Sequence, residues 1–189
     1  MNTDGYSIVN LVADLKEVCR QCTDDREIVG AVRPLARRAA MARSNWLEER
    51  MYDADATRGF GVYLLHEEPD HALAVLAVSW LPHRGAPPHD HGTWGVVAAV
   101  EGCEKNEFFE RIDDRSRRGH AELRKVGETV CAPCDVVAMP REVIHSVSNV
   151  TDAVAISLHI YGKHINYTGR SQYDLEARTE RPFILDVRE

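Results

Sequence analysis

The sequence predicts a mainly β protein, a jelly-roll barrel preceded by a helical segment. Two observations carry this. Apolar residues recur at helical spacing up to about residue 53 and give way to short alternating segments after about residue 58. Those later segments number about eight and are punctuated by Pro82, Gly85, Gly102, Gly119, Gly127, Pro133 and Pro140, the pattern of an antiparallel barrel.

In the first part, Ile8, Leu11, Leu15 and Val18 define one helix face, and Ile28, Val32, Leu35 and Ala39 a second. Thr23, Asp24 and Asp25 supply an N-cap region between them, and Ser44 and Asn45 are expected to separate off a third helix. Residues 1–57 are therefore expected to pack as helices on a barrel formed by 58–189, tail included. The candidate strands are FGVYLLHE, ALAVLAVSWL, TWGVVAAV, CEKNEFFERI, HAELRKV, DVVAM, VIHSVSNV and AVAISLHIYG, with a late strand at FILDV. Residues 153–161 are the most informative. Alternation puts Val154, Ile156, Leu158 and Ile160 on one face and Ala153, Ala155, Ser157, His159 and Tyr161 on the other. Neither face is charged. The apolar face calls for a covering layer, and the polar face for an enclosed cavity where hydroxyls and imidazole find partners.

Length and composition fit one soluble, globular unit. The net charge of -7 argues against a general nucleic-acid surface. Arg115, Arg117 and Arg118 sit beside Asp113 and Asp114 and read as a solvated turn. No apolar run is long enough for a membrane span, and MNTDGYSIVN lacks the features of a signal peptide, so a cytoplasmic protein without membrane partners is expected. The odd number of cysteines, five, fits a reducing compartment. Cys19/Cys22 and Cys131/Cys134 form two C-x-x-C pairs. They lie far apart in sequence, and small buried residues are a better reading than a zinc clamp.

Three histidines carry the chemistry. His89 and His91 bracket Asp90 in PPHDHGTWG. On a strand this spacing points both imidazoles to one side, suiting two cis ligands of a metal, with Asp90 turned away to orient backbone or a ring. His145 precedes a strand in PREVIHSVSN. Together the segments resemble the two motifs of the cupins, whose fold is a double-stranded β-helix. Pro140, His145 and Asn149 match the second motif, while Cys134 and Glu142 replace its glycines. His89, His91 and Gly102 match the first, but Gly95 and Val96 stand where a glutamate ligand is usual. Three neutral imidazoles leave the full charge of the metal and open positions for an anionic substrate. Nitrogen ligands with open faces suit Fe(II) and oxygen chemistry, with zinc, nickel and copper not separated by spacing alone.

The segment SLHIYG, with Ser157, His159 and Tyr161 on one strand face, resembles the Ser-His-Tyr relay of the thiol dioxygenases, the cysteine and 3-mercaptopropionate dioxygenase family. The similarity spans roughly residues 58–162 and is closer to the bacterial mercaptopropionate-type members. It implies an Fe(II)-dependent oxidation of a small thiol carboxylate, 3-mercaptopropionate-like or cysteine, to its sulfinate by O2. Tyr161 would bond to substrate or oxygen, His159 to Tyr161 and Ser157 to His159. Gly95 falls where some relatives carry a cysteine cross-linked to the tyrosine, so no Cys-Tyr cross-link is expected. Val62 falls at the arginine position of the cysteine enzymes, and Arg170, in NYTGRSQYD, matches a late arginine that holds the substrate carboxylate. Arg58 is the next arginine to consider. The resemblance leaves two alternatives, another three-histidine cupin metalloenzyme and a non-catalytic cupin that binds a small ligand. A monomer or small homo-oligomer is expected.

Overall fold

The computed structural model describes Thr3 and residues 5–189. Two helices open the chain, α1 (Ile8–Gln21) and α2 (Asp25–Met41). Ser7 and Asn10 form a reciprocal cap on α1, and the Asp24 carboxylate accepts from the Arg26 and Glu27 amides at the start of α2. Their buried faces carry Leu11 and Leu15, then Ile28, Val32, Ala36 and Ala39, close to the expected stripes. The expected third helix is instead two 3-10 turns, Arg43–Asn45 and Glu49–Tyr52. Side chains bind this stretch to its surroundings. The Trp46 indole donates to Ala39 O at the end of α2 (2.9 Å), and the Asn45 amide donates to Tyr6 O (3.2 Å).

Among the described residues eleven strands follow: β1 (Phe60–Glu67), β2 (Ala74–Trp80), β3 (Gly85–His89), β4 (Gly95–Glu101), β5 (Glu104–Arg111), β6 (Leu123–Cys131), β7 (Val136–Met139), β8 (Ile144–Asn149), β9 (Ala155–Tyr161), β10 (Ser171–Asp174) and β11 (Thr179–Pro182). They form two antiparallel sheets, in the orders β1-β2-β9-β4-β7 and β11-β10-β3-β8-β5-β6. This is the mainly β, two-sheet jelly roll with N-terminal helices that the sequence predicted. Three strands were not predicted. β3 is GAPPH, whose two prolines cannot donate to a ladder, and its pairing with β8 shifts register between Ala86 and His89. β10 and β11 are short and polar. Conversely, FILDV is not a strand. The Asn166 amide takes both backbone groups of Leu185 (2.8 and 2.9 Å), and the segment regains a strand partner only at Arg188, beside Tyr63.

Two large apolar layers build the interior, with a smaller cluster of Phe109, Ala121, Ile144 and Tyr173 beside the second sheet. In the outer one, α1 and α2 cover the first sheet, meeting Val96, Ala98, Ile156, Leu158 and Ile160. The inner one lies between the sheets and holds Val62, Leu76, Val78 and Trp80 from the first with Ala86 and Val147 from the second. Each buried aliphatic contributes roughly 1.5–3 kcal/mol. Two residues of the second motif have structural places. Asn149 donates to Trp80 O and Ala153 O (3.0 and 2.7 Å) and accepts from the Thr151 amide and hydroxyl (2.8 and 2.7 Å). Cys134, at a motif glycine position, has φ +72°, in the left-handed region that explains the usual glycine. Among the described residues no helix is long and apolar enough to cross a membrane.

Candidate metal centre

His89 ends β3 and pairs directly with His145 on β8, so strand register brings two imidazoles together from residues far apart in sequence. His91 lies two residues on, outside the strand, so the strand geometry considered for the pair applies to His89 alone. The three rings still converge. Among the described residues they form the one histidine, cysteine or carboxylate group able to hold a metal ion, with donor atoms all within 4.8 Å of one another. His145 Nε2 stands 3.2 Å from His91 Nε2. Two cis nitrogen ligands about 2.1 Å from a shared ion would lie about 3.0–3.4 Å apart, so the residues fit a divalent metal.

The other ring nitrogens have partners that turn Nε2 inward. His89 Nδ1 donates to Pro87 O (2.8 Å) and His145 Nδ1 to Asn106 Oδ1 (3.0 Å). Burial, then the neighbouring His145, pushes His89 and His91 well below the ordinary histidine value. Burial and the Arg170 charge take His145 to about 4. All three are therefore neutral near pH 7, with lone pairs free for a metal. Asp90 points away as expected, accepting from the Tyr173 hydroxyl (2.6 Å) and lying near the Ser171 amide.

That last contact fixes the neighbouring arginine. Gly169 turns the chain with φ +72°, and Arg170 enters the barrel just before β10. Arg170 is 3% exposed. Its Nε donates to Phe183 O (3.0 Å), its guanidinium lies 4.2 Å over the Phe183 ring, and its Nη2 is buried without a partner among the described residues. Burial lowers it to about 10, so it remains a cation near neutrality. A single cavity is lined by Arg170, His89, His145, His159 and Tyr161, with apolar walls that include Val62, Trp80 and Phe183. Arg58 is exposed and does not line it.

Ser157, His159 and Tyr161 are all buried on one face of β9 and form a continuous chain. Ser157 Oγ lies 2.8 Å from His159 Nε2, and His159 Nδ1 lies 2.8 Å from the Tyr161 hydroxyl. Gly95 pairs with Tyr161 across β4 and β9, and a Cβ there would stand 3.0 Å from the Tyr161 ring. The position is thus one of close approach to the tyrosine.

Sequence reading did not find Asn106, Glu104 and Phe183. Asn106 and Glu104 share the inward face of β5, and the one local signal was their common parity with Phe108. The five cysteines are free. Cys131 is buried, but Cys19 is exposed near the end of α1, which corrects the expectation of uniformly buried cysteines.

No protein-family model matches the chain. It is similar to a structure of oxalate oxidase in complex with the substrate analogue glycolate, at 17% identity and a TM-score of 0.45 over 62% of this chain. The chain spans 59% of that protein's length. It is also similar to oxalate decarboxylase from Bacillus subtilis, at 20% identity and a TM-score of 0.44, over 59% of this chain and 27% of that one. A cupin superfamily protein from Desulfitobacterium hafniense matches at 15% identity and a TM-score of 0.39, over 54% of this chain and 75% of that one. Likenesses this distant bear on neither metal nor substrate. The residues of the barrel interior carry those questions.

Proposed function

We propose that this chain is a non-haem iron dioxygenase that oxidises a small thiol carboxylate to its sulfinate with O2. The observation that carries the reading is the buried Nη2 of Arg170, without a partner among the described residues, in the cavity lined by His89 and His145 of the histidine cluster. A fixed guanidinium without a protein carboxylate, inside apolar walls, is a site for an anion. His89, His91 and His145 would hold the metal. When bound, iron(II) would supply a neutral-ligand, doubly charged centre suited to a thiolate and to redox chemistry with O2. Both oxygen atoms pass to the sulfur, so R-SH and O2 together account for the sulfinic acid.

The chain's own residues do the rest. Arg170 binds the carboxylate and thereby orients the thiol toward the histidines. Tyr161 offers its hydroxyl to the bound substrate, oriented by His159 and Ser157. Val62, Trp80 and Phe183 exclude water. Among the described residues no acidic side chain lines the cavity to receive an ammonium, which favours a thiol carboxylate without an amino group, such as 3-mercaptopropionate, over cysteine.

The test is oxygen uptake by the iron-loaded protein with 3-mercaptopropionate, cysteine and cysteamine. Sulfinate formation from 3-mercaptopropionate is expected to be the fastest. Arg170→Ala should raise KM for thiol carboxylates by roughly 10- to 150-fold, the loss of a charge-assisted bond of about 1.5–3 kcal/mol. Cysteamine, which has no carboxylate, should be much less affected. Equal losses for both kinds of thiol, or oxygen uptake with none, would refute the reading.

A further inference from the structure

One buried acid has no part in the chemistry above. Glu104 opens β5 in the second sheet, is 1% exposed, and has a buried Oε1 without a partner among the described residues. Its carboxyl lies toward β9 and β2, where the nearby Ser157 hydroxyl and Trp80 indole favour its charged form. The Trp80 indole also donates to Ser157 Oγ (2.9 Å). Glu104 therefore stands at the closed end of the Ser157–His159–Tyr161 chain, with Tyr161 at the cavity end.

We propose that Glu104 is a positioning residue whose single proton sets the direction of every hydrogen bond in that chain. A serine hydroxyl has one proton and two lone pairs, and Trp80 occupies one of those pairs in either state. When Glu104 is a carboxylate it can only accept, so Ser157 donates to it. His159 then carries its proton on Nε2 and donates to Ser157, and its bare Nδ1 accepts the Tyr161 hydroxyl. Tyr161 faces the cavity as an acceptor. When Glu104 is a carboxylic acid it donates to Ser157, and Ser157 turns its proton to His159 Nε2. The imidazole proton then sits on Nδ1 and is donated to the tyrosine oxygen, leaving the Tyr161 O–H free for the substrate. The two states differ by one proton, held at Glu104. No other group in the chain changes charge.

The surroundings favour this response. Burial pushes the Glu104 carboxyl up to about 7, opposed by the polar Ser157 hydroxyl and Trp80 indole beside it. Both of its states are therefore within reach near neutral pH. The titratable groups facing it are Cys131 on β6 and, along β9, His159 and Tyr161. Trp80 on β2 and Asn149, paired with Glu104 from β8, do not titrate. Burial raises the Cys131 thiol to about 11, raises Tyr161 above its ordinary value and lowers His159 to about 3. These three keep their charge while Glu104 changes, so His159 can answer only by exchanging tautomers.

The functional consequence rests on the proposed role of Tyr161, but the test does not. In the full chain, freed of paramagnetic metal and labelled with 15N-histidine, the nitrogen shifts of His159 report its tautomer, with assignment from His159→Gln. The wild type should move from the Nδ1–H form below pH 7 to the Nε2–H form above it, in step with loss of the buried carboxylic C=O infrared band. Glu104→Gln should hold His159 in one tautomer at every pH. Ser157→Ala should uncouple the imidazole while the infrared band still titrates, which keeps the test open should Glu104→Gln misfold. A wild-type tautomer that stays fixed across neutrality, or a Glu104→Gln protein that still switches, overturns the proposal. A tautomer that switches in a protein oxidising no thiol leaves this inference standing and removes the dioxygenase reading. Thiol oxidation with a fixed tautomer does the reverse.

Discussion

β9 has two faces, and both are fully buried. Ile156, Leu158 and Ile160 lie under the helices, in one apolar cluster with helix residues such as Val32 and Ala36. Ser157, His159 and Tyr161 face the barrel interior, where each polar atom has a specific partner. Burial does not distinguish the two, for both sets are 5% exposed or less. The covering layer distinguishes them. Helix side chains offer only shape to the outer face, so that face contributes stability through area and packing. The inner face meets a second sheet carrying imidazoles, a guanidinium and a carboxyl, so it contributes directed hydrogen bonds and proton positions. The same strand thus serves the fold on one side and the site on the other, and substitutions should separate the two.

The largest effect on the folded state is expected at Leu158→Ala. It should cost about 2–5 kcal/mol in chemical denaturation, with metal content per folded protein unchanged. A loss of metal there would join the two faces and end the comparison.

On the inner side, Glu104→Gln should make stability less dependent on pH. The folded Glu104 carboxyl titrates at about 7 against an ordinary value of 4.5, so the folded state binds a proton that the unfolded state has released. Its contribution is fully present below 4.5 and is lost as pH rises to about 7. Relative to the wild type, Glu104→Gln should therefore gain stability between pH 4.5 and pH 7. The gain should be on the order of 3 kcal/mol, read from denaturation midpoints at the two pH values. Leu158→Ala should show no such pH term.

Asn106→Ala removes the acceptor that orients His145 and should lower metal affinity 10- to 100-fold, roughly 1.4–2.7 kcal/mol, measured by competition with a chelator. The smallest change in stability is expected for Tyr161→Phe, within about 1.5 kcal/mol, because the ring and its packing remain. Its effect should appear in kcat for thiol oxidation, with metal retained. Loss of metal or of fold in this variant would assign the hydroxyl to structure.

The legibility of these features follows their range in sequence. Helix stripes and strand alternation depend on near neighbours, so the buried faces of α1, α2 and β9 could be read from residues a few positions apart. β3 was hidden by Pro87 and Pro88, and β10 and β11 by their polarity. FILDV has the composition of a strand, but Asn166 took the backbone groups of Leu185. His89, His91 and His145 stood out through spacing, and Ser157, His159 and Tyr161 through parity on one strand. The meeting of His89 with His145 is a matter of β3–β8 register, which no local pattern contains.

The sequence by itself determined the fold class, the change from helix to barrel, the three histidines and the polar face of β9, because each is written in local periodicity or spacing. The tertiary structure alone decided the company those residues keep. It buried Arg170 against Phe183, set Asn106 behind His145, and carried Glu104 across the barrel to Ser157. In β5, Glu104 and Asn106 look like ordinary polar residues of an exposed strand. Non-local strand pairing placed them inside, where low dielectric makes the partner of each polar atom decisive.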